Sequence, residues 1–170
     1  MKKTLILLQL FVGFGVFAQS KDDFMDKGSL SLMYGKYSQY DKYGLSYNTK
    51  AVKSWYFENS RVDLNVEFEL AKMHSNSGSM WQGSVIPMFN WHFKNRVYLQ
   101  AGIGGTYLSS KNFGDKEFGS KLNFSDNIGI GYQISPSTSI TYRISHYSNA
   151  GIKKPNPGLN MQQVILSYRF

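Results

Sequence analysis

The chain has no cysteine. That excludes disulfides, thiolate metal sites and the start of a lipid-modified lipoprotein. Its three histidines, at positions 74, 92 and 146, show no metal-ligand spacing, so no metal and no other cofactor is expected. Proline is scarce, at four residues, and two of those fall within three positions of each other, Pro155 and Pro157, which marks that segment as a loop. Beyond the first eighteen residues no run of about twenty apolar residues occurs, so no helix is expected to cross a membrane. Acids are few: 11 Asp and Glu against 19 Lys and Arg give a formal net charge of +8. A basic exported chain suits an anionic surface such as phosphorylated lipid. Nucleic acid is excluded as a partner by the absence of any binding motif and by export. Repeats and low-complexity tracts are also missing.

What is present begins with an export signal. Lys2 and Lys3 precede a mostly apolar stretch over 5–15, and Val16 and Ala18 suit the −3 and −1 positions of a cleavage site. Residues 1–18 therefore read as a signal peptide, too short to span a membrane. Residues 19–170 are expected to form one domain.

That domain alternates with period two almost throughout. In the third strand Val62, Leu64, Val66, Phe68 and Leu70 share one face, with Asp63, Asn65, Glu67 and Glu69 on the other. Val85, Pro87, Phe89, Trp91 and Phe93 share a face in the fourth strand; Val97, Leu99, Ala101 and Ile103 in the fifth. The sixth runs from Leu122 to Gln133, the seventh carries Ile140, Tyr142 and Ile144, and the eighth Val164, Leu166, Tyr168 and Phe170. Two weaker strands precede them, over 28–38 and 43–57. The pattern predicts an all-β fold, an eight-stranded antiparallel transmembrane β-barrel with lipid outside and a filled polar interior. Asp63, Glu67, Glu69, Arg143 and Arg169 are expected to form salt bridges inside it. A secreted barrel of the lipocalin kind is the competitor, and its outward face should be polar.

Tight turns are expected at 58–60, 94–95 and 135–137, and longer loops at 39–42, 73–81, 107–121 and 147–160. Such barrels keep short turns in the periplasm and long loops outside. Both termini are then periplasmic and the 147–160 loop is extracellular.

The chemistry concentrates there. His146 has the parity of Ile140, Tyr142 and Ile144 and so faces lipid near the outer end of its strand. An ionisable group facing lipid points to function. Ser148 keeps that parity. Asp126 interrupts the lipid-facing row of the sixth strand between Phe124 and Ile128. A hairpin centred on Pro136 sets Asp126 directly opposite His146, each ten residues from the centre, with Cβ atoms about 4.5–5.5 Å apart. Serine, histidine and an orienting carboxylate make a hydrolytic site. Asn156 through its side-chain amide, and Ala150 or Gly151 through a backbone N–H, are candidate oxyanion donors. Lys153 and Lys154 face solvent or lipid phosphate.

The segment 146–158, with its His-x-Ser-Asn-Ala-Gly and Pro-Asn-Pro-Gly runs, resembles the lipid A 3-O-deacylase (PagL) family, also called acyloxyacyl hydrolases. The resemblance implies an integral outer-membrane serine esterase with its site near the extracellular side, acting on lipid A of lipopolysaccharide in the outer leaflet. It implies His146 as base, Ser148 as nucleophile and Asn156 in the oxyanion hole. Asn149, Ala150, Gly151 and Phe124 match the family pattern as surrounding substrate or oxyanion residues, Phe124 and Asp126 forming its Phe-x-Asp pair. Relatives suggest a homodimer as one assembly. The family's glutamate, fourteen residues after the histidine, is replaced here by Asn160. An amide oxygen orients an imidazole but does not balance its charge, so Asp126 is expected to supply the carboxylate with Asn160 assisting. The alternatives are a non-catalytic small barrel and a family member that lost activity with its glutamate.

Overall fold

A computed structural model describes residues 28–170; the expected signal peptide lies outside the described residues. Eleven β segments occur: β1 (Ser29–Tyr37), β2 (Tyr40–Asn48), β3 (Lys53–Tyr56), β4 (Ser60–Ser75), β5 (Gly78–Phe93), β6 (Val97–Leu108), β7 (Asn112–Phe113), β8 (Lys116–Glu117), β9 (Leu122–Gln133), β10 (Thr138–Ser148) and β11 (Leu159–Arg169). β2 and β3 both pair with β4, so they form one interrupted wall strand. β7 and β8 pair only with each other, as a small hairpin in a loop. The remaining strands pair antiparallel in sequence order, and β11 returns to β1. The result is a closed eight-stranded barrel, in which β3 pairs on one side, with β4, among the described residues.

The wall is apolar outside and polar inside. Leu45, Phe68, Leu70, Val85, Ile103, Ile128 and Ile144 are exposed, whereas Glu67, Gln82, Ser84, Thr141, Arg143 and Gln163 are buried. The lipocalin arrangement would reverse this. Arg143 clamps Glu67 with two hydrogen bonds of 2.7 and 2.9 Å and also donates to Gln100 at 3.0 Å. Lys42 pairs with Glu69. Asp63 takes Arg61 at 2.8 Å and faces His92 at 3.4 Å. Arg169 lines the same mouth as Asp63 and His92.

The other end of the interior is closed differently. Tyr40, Met73, Met80, Leu108, Phe113, Phe118, Tyr147, Leu159 and Met161 form a buried apolar cluster. Phe113 and Phe118 come from the 109–121 loop, which folds back over the mouth. Asp115 at its tip hydrogen-bonds the Tyr40 hydroxyl, which holds the Asp115 carboxyl below the usual carboxylate range.

Two of the four expected long loops are tight turns instead. β1 and β2 are joined by two residues at 38–39, with Ser38 at φ 52°, and β4 and β5 by two at 76–77. The strands run on because the outward row becomes polar, with Lys72 and His74, while inward burial at Met73 and Ser75 keeps its period. Hydrophobic alternation stops there; structural alternation does not. The loops at 109–121 and 149–158 are long, as expected.

Candidate active site

The β9–β10 hairpin has the expected register, with His146 directly opposite Asp126. On its other side His146 lies opposite Asn160 of β11. All three side chains share the outer wall. The imidazole Nδ1 is 2.7 Å from Asn160 Oδ1. An amide oxygen only accepts, so Nδ1 donates and Nε2 keeps its lone pair. No hydrogen bond joins His146 to Asp126 among the described residues. Register brought the carboxylate across from the imidazole, and the orienting bond goes to Asn160.

Gly158 closes over the imidazole. Its φ is +64°, and a Cβ there would lie 2.7 Å from His146 Cε1 and 3.3 Å from Nε2. Glycine is required on both counts, since a side chain would strain the backbone and strike the ring.

Ser148 sits at the end of β10, opposite Phe124. By parity it faces outward, yet it is only 9% exposed. No Ser148–His146 hydrogen bond is formed among the described residues; the two stand on one face, about 7 Å apart along the strand. Such catalytic bonds commonly tighten only with substrate in place. Phe124 is 42% exposed and forms an apolar neighbour to the serine.

Asn149 holds the loop together. Its side-chain amide donates to Phe118 O and Lys153 O, both at 2.8 Å, and its Oδ1 accepts from Lys153 N at 3.3 Å. That side chain is buried and fully engaged, which makes it a loop fastener rather than a group open to substrate. Ala150 and Gly151 follow with φ of 53° and 77°, and Ile152 N donates to Asn149 O at 3.0 Å. This is a type I′ turn. The Asn149 backbone N–H donates to Asn156 Oδ1 at 3.0 Å. Asn156 is thereby oriented with its oxygen occupied and its NH₂ left to donate. Ala150 and Gly151 are exposed at the turn.

Three contributors were not legible in the sequence. Gly119 approaches the carbonyl of Pro155 so closely that a Cβ would lie 2.6 Å from it, locking the 109–121 loop to the site loop. Phe118 supplies the carbonyl for Asn149. Tyr147, between His146 and Ser148, points inward, and Lys42 Nζ donates to its hydroxyl at 2.6 Å. The parity of Lys42 against Tyr43 and Leu45 is the one signal that could have placed it inside. Among the described residues no group of three His, Asp or Glu side chains could hold a metal.

The family described as Lipid A 3-O-deacylase (PagL) matches residues 41–169. A relative from Bordetella bronchiseptica, "Lipid A deacylase PagL", is 43% identical over 150 residues, covering 85% of this chain and 84% of its own. The crystal structure of the outer membrane enzyme PagL superposes with a TM-score of 0.77 at 28% identity, covering 84% of this chain and 99% of that one. The N-terminal β-barrel domain of Pseudomonas aeruginosa OprF, at TM-score 0.61 and 13% identity over 86% of this chain and 98% of that one, shares the fold.

Proposed function

The chain belongs to the lipid A 3-O-deacylase (PagL) family, an integral outer-membrane barrel, and on that premise we propose that it hydrolyses an ester-linked hydroxyacyl chain of lipid A, with Ser148 as nucleophile. His146 Nε2 takes the Ser148 hydroxyl proton as Oγ attacks the ester carbonyl. The tetrahedral oxyanion receives the Asn156 NH₂ and a backbone N–H from Ala150 or Gly151. Collapse breaks the bond to the sugar oxygen, which leaves with the proton from the His146 imidazolium. Water, deprotonated by His146, then attacks the acyl-enzyme, frees the fatty acid and restores Ser148.

Asn160 fixes the imidazole tautomer. Asp126, across the strand, steadies the imidazolium by its charge. Phe124 packs against the acyl chain. The site opens onto the outer wall, so outer-leaflet lipid reaches it without leaving the membrane. The observation that carries this reading is the 2.7 Å His146–Asn160 bond, which points Nε2 away from its orienter on the face that also carries Ser148. The same bond weighs against the reading of an inactive member, since the amide keeps the orienting contact of the family's glutamate.

A fluorophosphonate probe, which reacts with activated serines, tests the assignment. On the refolded barrel the adduct should map to the peptide containing Ser148 and disappear in Ser148→Ala and His146→Ala. Absence of an adduct on a folded barrel, or labelling elsewhere, contradicts it.

A further inference from the structure

Away from the catalytic face, register aligns four successive rows of outward side chains across β1, β2, β4 and β5. One row is Leu30, Tyr47, Phe68 and Val85, and the next Leu32, Leu45, Leu70 and Gly83. Above these comes Tyr34, Tyr43, Lys72 and Trp81, and above that Lys36, Asp41, His74 and Ser79. The wall thus passes from aliphatic to aromatic to charged within about 13 Å. That progression marks where hydrocarbon gives way to headgroups.

The cations on this face are unevenly matched. Asp41 takes Lys36 at 2.9 Å and the Tyr34 hydroxyl at 3.0 Å. Lys72 joins no ion pair among the described residues; its ammonium sits 5.9 Å from the Trp81 ring centre. An ammonium on the lipid-facing wall is costly unless an anion meets it. At this height the available anion is a lipid phosphate. Lys36 and Lys72 lie two strands and one row apart, about 12 Å by strand spacing and rise, a span on the scale of one phosphorylated disaccharide.

We propose that this face is a second, non-catalytic docking site for the phosphorylated headgroup of an outer-leaflet glycolipid. Lys72 and Lys36 are the phosphate ligands, and Tyr34, Tyr43 and Trp81 seat the sugar and the start of the acyl chains. Charge complementarity selects the occupant: Lys36, Lys72 and the protonatable His74 face one carboxylate, already engaged. Lys72 on β4 is four strands from β10 in either direction round the barrel, so this lipid and the one at Ser148 are separate molecules. Occupancy moors the barrel at one depth and so keeps Ser148 level with the ester. The inference rests on the outer-membrane location and not on the identity of the catalytic pair.

Trp81 supplies the readout. In a Ser148→Ala barrel with Trp55→Phe and Trp91→Phe, it is the single tryptophan of the described residues. Its fluorescence is followed in detergent micelles as bisphosphorylated lipid A is added, with dephosphorylated lipid A, phosphatidylcholine and inorganic phosphate in parallel. A saturable change with bisphosphorylated lipid A is expected. Binding should weaken roughly 30-fold in the Lys36→Gln/Lys72→Gln variant, at about fivefold per lysine, and similarly when the lipid lacks phosphate. Equal responses to dephosphorylated lipid A or phosphatidylcholine, or unchanged binding in the lysine variant, overturn the proposal. A response to inorganic phosphate alone overturns the lipid assignment. The dephosphorylated arm needs no variant and so stands even if the lysine variant does not fold. Deacylation is assayed separately, so a barrel that binds here but cleaves nothing refutes the catalytic reading and leaves this one intact.

Discussion

Asn160 and His146 face each other across the β10–β11 pair, and their side chains meet at 2.7 Å between Oδ1 and Nδ1. This bond sets the tautomer without supplying charge. Asn160→Ala should therefore lower kcat by about 10- to 100-fold with little change in KM, because a mis-set imidazole affects the transition state more than substrate binding. Asn160→Glu should match or exceed wild type, since it adds a carboxylate that balances the imidazolium. Initial rates on lipid A in mixed micelles decide this; an Asn160→Ala rate equal to wild type removes Asn160 from the site.

Asp126 stands opposite the same imidazole with no hydrogen bond to it. If its contribution is purely electrostatic, Asp126→Asn should reduce kcat by about tenfold, as suits a charge near 5 Å in a partly solvated site, and added salt should shrink the difference. Unaltered rates in Asp126→Ala would show that the imidazolium needs no carboxylate from this strand.

Gly158 carries a left-handed backbone and touches the imidazole edge. Gly158→Ala adds about 1–2 kcal/mol of backbone strain and forces the ring aside. Activity should fall at least about 100-fold while the barrel still folds, as judged by its heat-modifiable electrophoretic mobility. Full activity would mean that the loop relaxes freely.

The Arg143–Glu67 pair is buried, with side chains 2% and 0% exposed. Removing one member, as in Glu67→Ala, should cost about 3–5 kcal/mol of unfolding free energy. Replacing both, as in Arg143→Met/Glu67→Leu, should cost less. Urea unfolding in micelles measures both, and an equal loss in the two variants would argue against an uncompensated charge as the cause.

The barrel was legible because Val62 through Leu70 put every acid on one face, and because closure leaves only one place for such acids. The Asp126–His146 pairing was legible because a tight turn at Pro136 propagates its register along both strands. The turns at 38–39 and 76–77 were not, since the outward positions there enter the headgroup zone and stop being apolar. Nor were the roles of Asn149 and Gly119, which depend on the 109–121 loop meeting the 149–158 loop. That contact between distant segments leaves no periodic trace in either. Lys42 was misplaced for the first of these reasons: it fell in an expected loop, whereas it lies in β2 and points inward to Glu69 and Tyr147.

The central claim is that this barrel deacylates lipid A through Ser148 and His146. Mass spectrometry of lipid A incubated with the refolded protein, beside Ser148→Ala and His146→Ala, tests it most directly. The wild type should remove one hydroxyacyl chain, and both variants should leave the mass unchanged. An unchanged lipid A mass with a correctly folded wild-type barrel, or cleavage that persists in Ser148→Ala, would contradict it.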